Sequence, residues 1–431
     1  MDRPNSISNN ELSQTFIEGV DPLFKYQWYL KNTGSKIFDY RSFRVGEDIN
    51  WKRDLGAKGE DVYVVVSDGR IQLGHEDLIE NANFASSRNY TDVGEFYGAD
   101  PNTGDKSDNH GTFIAGLISA SENNSFGITG IAPKTNLVGY NYIDSDQTLS
   151  ITLDNYESDD PSIFNYSYGF YNCNIEPSSV VEQQQILNQT KNGNIFITAS
   201  GNDFFSSKEN CGGDESKYVG NSIFNEFKNY PEIIVVGASN GMGVTTNYTT
   251  PGPNVFISAP GGDDDSPMIG LDLMGCEEGL SVSKSDGEFE NGGHLENKDC
   301  NYVIDSMRGT SFATPLVTGI VALIKEMCPS CDYRDVKYIL AHNASFRDDI
   351  AWTYGHPLGL DLKGYEYNLG FVTNNYGLKF NNDIGFGIVD TLKIINYLKS
   401  NKPELYDRRD SKTIDRNAFY RSGVLNLNIP D

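Results

Sequence analysis

Residues 308–328 read RGTSFATPLVTGIVALIKEMC, a Gly-Thr-Ser step followed by apolar residues at helical spacing. The spacing predicts a buried helix with Pro315 in its first turn, where a missing N–H is harmless. Ser311 stands at the entrance to that helix. Serine is a favoured helix cap, so the position alone says little. It becomes a nucleophile only if the chain also supplies a base, a group that orients the base, and donors for an oxyanion.

Outward from this helix, short apolar runs alternate with helical segments. Residues 61–69, DVYVVVSDG, form a β-branched run that ends in a polar turn, as a strand buried on both faces does. Residues 136–143 (NLVGYNYI), 162–169 (SIFNYSYG), 193–203 (GNIFITASGND) and 232–240 (EIIVVGASN) have the same strand character, while 111–120 (GTFIAGLISA) has helical spacing. Strands alternating with helices predict an α/β fold, a mostly parallel central sheet with helices on both faces. Such sheets gather ligands at the carboxyl ends of their strands, where the polar residues of interest lie.

Composition narrows the field. A length of 431 residues suits one large α/β domain or two ordinary ones. The net charge of −26 argues against nucleic acid and anionic membrane surfaces as partners and would draw in cationic substrates. No apolar run approaches the roughly 18–20 residues of a membrane span, so no transmembrane segment is expected. The polar N-terminus lacks the basic–apolar–small pattern of a signal peptide. Residues 1–20 read as an arm, and 261–308, acidic and Gly-rich, as a long surface excursion held by Cys276 and Cys300. Residues 401–431 read as a polar tail ending on the strand-like GVLNLNIPD. Six cysteines, at 173, 211, 276, 300, 328 and 331, point to disulfides and an oxidising compartment. The single CPSC lacks the second ligand pair that zinc needs.

The chain has five histidines, so candidates for a base are few. His110 stands in SDNHGTFIAG, at a helix entrance on the strand-end rim. Asp68 closes DVYVVVSDG at the carboxyl end of a buried strand, where a carboxylate could orient an imidazole. Asn202 ends the strand FITASGND, and its amide could donate to an oxyanion. Each alone has an ordinary structural explanation, a turn former or a cap.

Together, in the order Asp, His, Ser, these residues resemble the subtilisin superfamily of serine peptidases. HGTFIAG and GTSFATP match the family's H-G-T-x-x-A-G and G-T-S-x-A-x-P patterns without a gap. The resemblance runs from about residue 21 to 396 and implies a subtilisin-like three-layer fold, with residues 21–400 as the catalytic domain. It makes Ser311 the nucleophile, His110 the base, Asp68 its orienter, and Asn202 with the Ser311 N–H the oxyanion hole. An α/β-hydrolase esterase is set aside because it places its Ser ahead of the acid and His, in a G-x-S-x-G elbow that is not expected in this chain. One departure stands out. The family has Asp, then Asp, Ser or Thr, then Gly, whereas Asp68 is followed by Gly69 and Arg70. Arg70 either pairs with Asp68 and disturbs the site or points outward; a silent peptide-binding module is the alternative reading.

The resemblance also implies calcium. SENNSFGITGIAP (121–133) is similar to the family's calcium loop, with the Asn124 side chain and the carbonyls of Glu122, Phe126 and Ile128 as ligands, completed by Asp77 and Gln27. Ser167, Tyr168 and Gly169 match the strand that pairs substrate backbone, and Ala199, Ser200 and Gly201 the opposite wall of the first specificity pocket. DPLFKYQWYLKN and GLKFNNDIGFGIVD resemble the kexin-like branch, which follows its catalytic domain with a β-sandwich P-domain. LNLNIPD in the tail 401–431 resembles the opening strand of one, which implies a bacterial kexin-like protease with most or all of that domain missing from this chain. NCGGDESKY resembles that branch's pocket loop, making Asp214 a partner for a basic residue before the cut; the branch's second acidic cluster is missing. The expected pairings are Cys173–Cys211, Cys276–Cys300 and Cys328–Cys331. Protein or peptide substrates are expected. A pro-segment, separate chaperone or inhibitor protein is the expected partner, and the location secreted or periplasmic.

Overall fold

The computed structural model describes residues 21–34, 43–91, 101–102, 105–106, 108–143, 145, 149–154, 161–169, 175–204, 220–280, 300–346, 371–375 and 377–400. The arm 1–20 and the tail 401–431 lie outside the described residues, as do Cys173, Cys211 and Asp214.

A seven-stranded parallel sheet organises the fold. Its strands are β1 (Tyr63–Asp68), β2 (Arg88–Asn89), β3 (Asn136–Asn141), β4 (Ser162–Tyr166), β5 (Ile195–Ala199), β6 (Ile233–Ser239) and β7 (Val255–Pro260), in spatial order β2-β3-β1-β4-β5-β6-β7. After β1 the chain lays down β2 at one edge and β3 between it and β1, then crosses to the other side and continues outward from β4. The carboxyl end of β1 therefore sits where the strand order reverses, the place at which open parallel sheets bind ligands.

Both faces of the sheet are buried. Val64 and Val66 point into one core, with Ile114 and Leu117 of α1 (His110–Ser119) and the apolar face of α4 (Thr310–Met327). Val65 points into the other, with Leu153 of α2 (Ser150–Asp154) and Ile186 of α3 (Val180–Lys191). This two-sided burial is why β1 is a continuous apolar run rather than an alternating one. α4 lies across β4–β7, and α5 (Tyr333–Asn343) and α6 (Thr391–Ser400) close the outside of that layer.

The structure corrects two expectations. Pro315 is the sixth residue of α4, not a first-turn residue. Its missing N–H therefore removes the i→i−4 bond to the Ser311 carbonyl. The stretch 261–308 is not only a surface excursion. Its ends form β8 (Met268–Leu271) and β9 (Tyr302–Met307), an antiparallel pair with β8 wholly buried. These strands lie against α1, where a Cβ on Gly270 would come within 2.6 Å of the Phe113 ring and one on Gly116 would strike Leu271. The acidic, Gly-rich middle of the segment masks two short apolar ends. Cys276–Cys300 and Cys328–Cys331 are disulfides, as expected.

Glu326, near the end of α4, ties this helix to the lead-in of β1. Its Oε2 accepts the backbone N–H groups of Lys58 (2.6 Å), Gly59 (2.6 Å) and Glu60 (3.2 Å). Removing an acceptor that serves three donors leaves them to be satisfied by water or strain. Glu326→Ala should lower stability by about 1–3 kcal/mol, read as a shifted urea midpoint with unchanged slope.

Candidate active site

Asp68 is the last residue of β1 and fully buried. Its Oδ1 accepts from His110 Nδ1 at 2.6 Å and from the Gly69 N–H at 2.8 Å. The carboxylate thus fixes the imidazole as the Nδ1–H tautomer and leaves Nε2 to face the cleft. His110 opens α1, where Asp108 Oδ1 accepts its backbone N–H at 3.1 Å. Burial alone would lower the His110 pKa; the charge and hydrogen bond of Asp68, with Asp108 behind them, carry it above the ordinary imidazole value.

The local motif around His110 has steric and polar causes. A Cβ on Gly111 would sit 2.8 Å from the Arg70 carbonyl and 3.0 Å from that of Gly69. Thr112 Oγ1 accepts the Gln72 N–H at 2.9 Å and reaches the Arg70 carbonyl at 3.3 Å. Only a small residue followed by a short hydroxyl lets α1 approach the end of β1 this closely.

Ser311 is the second residue of α4 and nearly buried. The next side chain, Phe312, sets its ring at a tilt 5.4 Å from that of His110, which brings the imidazole against the first turn of α4. Ser311 Oγ makes no hydrogen bond among the described residues; nucleophile–base contacts commonly tighten only when substrate binds. Gly309, at φ 155° and ψ 160°, turns the chain into the helix. A Cβ built there would lie 3.4 Å from Asn202 Nδ2 and 3.5 Å from Ser311 Oγ, so these two groups flank one small space. Asn202 is held in place by Thr310, whose backbone N–H and hydroxyl both donate to Oδ1 at 2.9 Å. With the amide oxygen engaged, the NH2 group has to face the space. An alcohol, an oriented imidazole and an amide donor around one cavity can attack and stabilise a carbonyl.

Arg70 points outward. Nη2 pairs with Glu278 at 2.6 Å, Nε donates to Asn102 Oδ1 at 2.8 Å, and Lys106 joins Glu278 at 3.7 Å. The stretch 237–241, GASNG, does fit the esterase elbow pattern, but it leaves β6 into a turn and Ser239 is buried.

The structure places the remaining expected residues as follows. Ser167, Tyr168 and Gly169 continue from β4, and Ala199, Ser200 and Gly201 from β5 towards Asn202. Asp77 is buried, with Oδ1 accepting from Asn124 Nδ2 (2.7 Å) and Oδ2 from the Ile128 N–H (2.9 Å). Burial pushes its pKa up to about 8. Glu122 spends its carboxylate on Lys58, which leaves its backbone carbonyl for other roles. Gln27 is committed elsewhere, its Oε1 to the Thr129 N–H and its Nε2 to Tyr29 and the Thr129 carbonyl. Asp21, which sequence reasoning passed over, is buried; it accepts the Asn124 N–H at 3.2 Å and acts electrostatically on Asp77. Thr310 and Lys228 were also passed over. The only sequence signal for Asp21 was its position in DPLFKYQWYL, six residues before Gln27.

A buried carboxylate, a tethered imidazole and a helix-borne serine beside an amide donor are the parts of a serine hydrolase site. The chain belongs to the subtilase family, whose model matches residues 59–387. It is 31% identical over 421 residues to the Aeromonas extracellular serine protease of Aeromonas sobria, covering 90% of this chain and 65% of that relative. It is 25% identical over 403 residues to human proprotein convertase subtilisin/kexin type 7, covering 88% of this chain and 42% of that protein. The solved complex of the Aeromonas sobria serine protease with a chaperone matches with a TM-score of 0.75 and 28% identity, over 91% of this chain and 69% of that one. The chain thus spans less than two thirds of the length of the curated Aeromonas relative it matches.

Because its folded-state pKa is raised, His110 stays protonated to a higher pH than a free imidazole. It contributes stability below the ordinary value near 6.5 that is lost as pH rises through the higher folded value. NMR of the His110 ring should show a midpoint above 6.5, and Asp68→Asn should bring it down.

Proposed function

We propose that the chain is a secreted, calcium-stabilised serine endopeptidase. The observation that carries this reading is the single space bounded by Asn202 Nδ2 and Ser311 Oγ, beside an imidazole tethered to Asp68. Ser311 Oγ attacks the scissile carbonyl carbon and its proton passes to His110 Nε2. The carbonyl oxygen, now an anion, is held by Asn202 Nδ2–H and the Ser311 N–H at the positive end of α4. The C–N bond then breaks, and the leaving amine takes the proton from His110. Water repeats the sequence on the acyl-enzyme, delivering a carboxylate and restoring Ser311. Asp68 keeps the ring oriented and balances its charge throughout. The alternative of a silent binding module leans on Arg70 and on the missing acidic cluster; Glu278 draws Arg70 away from Asp68, which leaves it the second support alone.

Substrate backbone is taken to lie along residues 167–169 as an added strand. A basic preference resting on Asp214 is not part of this reading, because that residue lies outside the described ones. Export is supported by the disulfides and by the extracellular relative, and a separate chaperone by the Aeromonas complex.

Calcium fits the loop 121–130. Among the described residues no three acidic, His or Cys side chains converge, so an ion here would depend on carbonyl and amide oxygens, the donor set calcium accepts. Asp77 is a buried carboxylate with N–H donors but no cation among its partners. We assign the ion to Asp77, Asn124 and the carbonyls of Glu122, Phe126 and Ile128. Asp21 takes the place of Gln27: its Oδ2 is held by Arg53 and Thr129, but its Oδ1 accepts only the Asn124 N–H and the carboxylate carries charge, whereas the neutral Gln27 amide is engaged at both ends. The ion supplies no chemistry to the reaction; it holds the loop against the N-terminal segment.

A fluorophosphonate probe should label the wild type at Ser311 and fail on Ser311→Ala. Asn202→Ala should lose about 100–1,000-fold in kcat, the range known for subtilisin itself; unlabelled wild type would overturn the reading. Chelation should lower the melting temperature, with calcium at a hundredfold excess over its Kd restoring about 2.7 kcal/mol. Asp21→Asn should abolish that response and Gln27→Glu should keep it; an unchanged melting temperature on chelation would remove the site.

A further inference from the structure

Residues 167–169 and 199–201 leave adjacent strands β4 and β5, whose last ladder pair is Tyr166 with Thr198. Beyond that pair the two segments run on, the second leading into Asn202, and Lys228 lies between them in what we term the slot. It comes from the short 3₁₀ turn Glu226–Asn229, is 2% exposed, and donates from Nζ to the Ser200 carbonyl at 3.0 Å. On the other side, a Cβ built on Gly169 would lie 3.0 Å from the same Nζ, so the ammonium reaches both walls.

The charge is poorly compensated. Lys228 forms no ion pair among the described residues, and Asp203 and Glu176 act on it only at longer range. Burial lowers its pKa to about 8, so at neutral pH most of it remains an ammonium. One of its three N–H bonds is spent on Ser200, and two remain. A buried cation with spare donors invites a carboxylate and rejects a second cation.

We propose that Lys228 forms the base of the first specificity pocket and selects an acidic side chain in the residue before the cut, against Arg and Lys. The proposal rests on the endopeptidase reading and deepens it. The net charge of −26 does not oppose it at close range, because charges beyond about 8–10 Å are screened at physiological salt. The contact that decides is the one at the ammonium.

The test uses the whole chain and four peptides that differ only in the residue before the cut: Glu, Gln, Leu or Arg. Wild type should show kcat/KM for Glu at least tenfold above Arg. Lys228→Met should erase that ratio, and Lys228→Glu should reverse it, with Ser311 still labelled by a fluorophosphonate. A labelled wild type that favours Arg, or a Lys228→Met protein that folds and keeps the wild-type ratio, would overturn the proposal alone. Should Lys228→Met fail to label, Lys228→Arg and the wild-type ratio decide: retention of the Glu preference by Lys228→Arg supports a charge-based role, and its loss does not. A wild type that neither labels nor cleaves any of the four would remove the endopeptidase reading itself.

Discussion

The two hydrogen bonds from Thr310 to the amide oxygen of Asn202 set the chemistry of this site. They join the end of β5 to the start of α4 and decide which way the amide faces. Gly309 completes the arrangement. Its φ of 155° and ψ of 160° suit glycine, and the missing Cβ is what keeps the space between Asn202 and Ser311 open. A side chain there would occupy the place of a carbonyl oxygen. One short step, Gly-Thr-Ser, therefore supplies the proposed nucleophile, the orienting donors and the space beside it in consecutive residues.

Behind that step, α4 is fixed by interactions that have no part in bond-making. Thr318 donates to Asn165 on β4 at 2.8 Å, and Asn165 in turn donates to Ser167 at the start of the slot wall. Glu326 anchors the far end of the same helix to the approach of β1. The helix that carries the serine is thus tied to the strand that carries the aspartate and to the strand that precedes the slot. Positioning at this level depends on elements packed on both sides, which loops alone could not provide.

How much of this was legible follows from where each constraint acts. Gly111 and Thr112 must be small or hydroxylic because backbone atoms of the β1 end come within contact distance of them, and Gly309 and Thr310 because the Asn202 amide lies against both, and so they leave a readable pattern. Asp68 was legible because a polar residue closing a continuous apolar run is conspicuous. The β8–β9 pair was not, since its apolar ends are four and six residues long and lie inside an acidic, Gly-rich segment. The direction of Arg70 was not legible either, because Glu278 is brought to it only by tertiary structure. Motif position favours Gln27 over Asp21, whereas charge separates them: Gln27 is a neutral amide engaged at both ends, and Asp21 is a buried carboxylate that acts on Asp77, with Oδ2 held by Arg53 and Thr129 and Oδ1 accepting the Asn124 N–H.

Lys228 shows the same limit from the other direction. In sequence it is one lysine in FNEFKNYPE, a segment with no periodicity and nothing to separate it from a solvated charge. Its position follows from the 3₁₀ turn beneath the splayed ends of β4 and β5, and the Ser200 carbonyl that receives it belongs to a residue already assigned to the pocket wall. The machinery that breaks the bond is written in short motifs because its geometry is shared by all substrates. The group proposed to choose the substrate has to meet only one side chain, and a single residue from any neighbouring turn can supply it. The catalytic parts of this chain and its selectivity therefore have to be inferred by different routes, the first from local sequence and the second from charge placed in three dimensions.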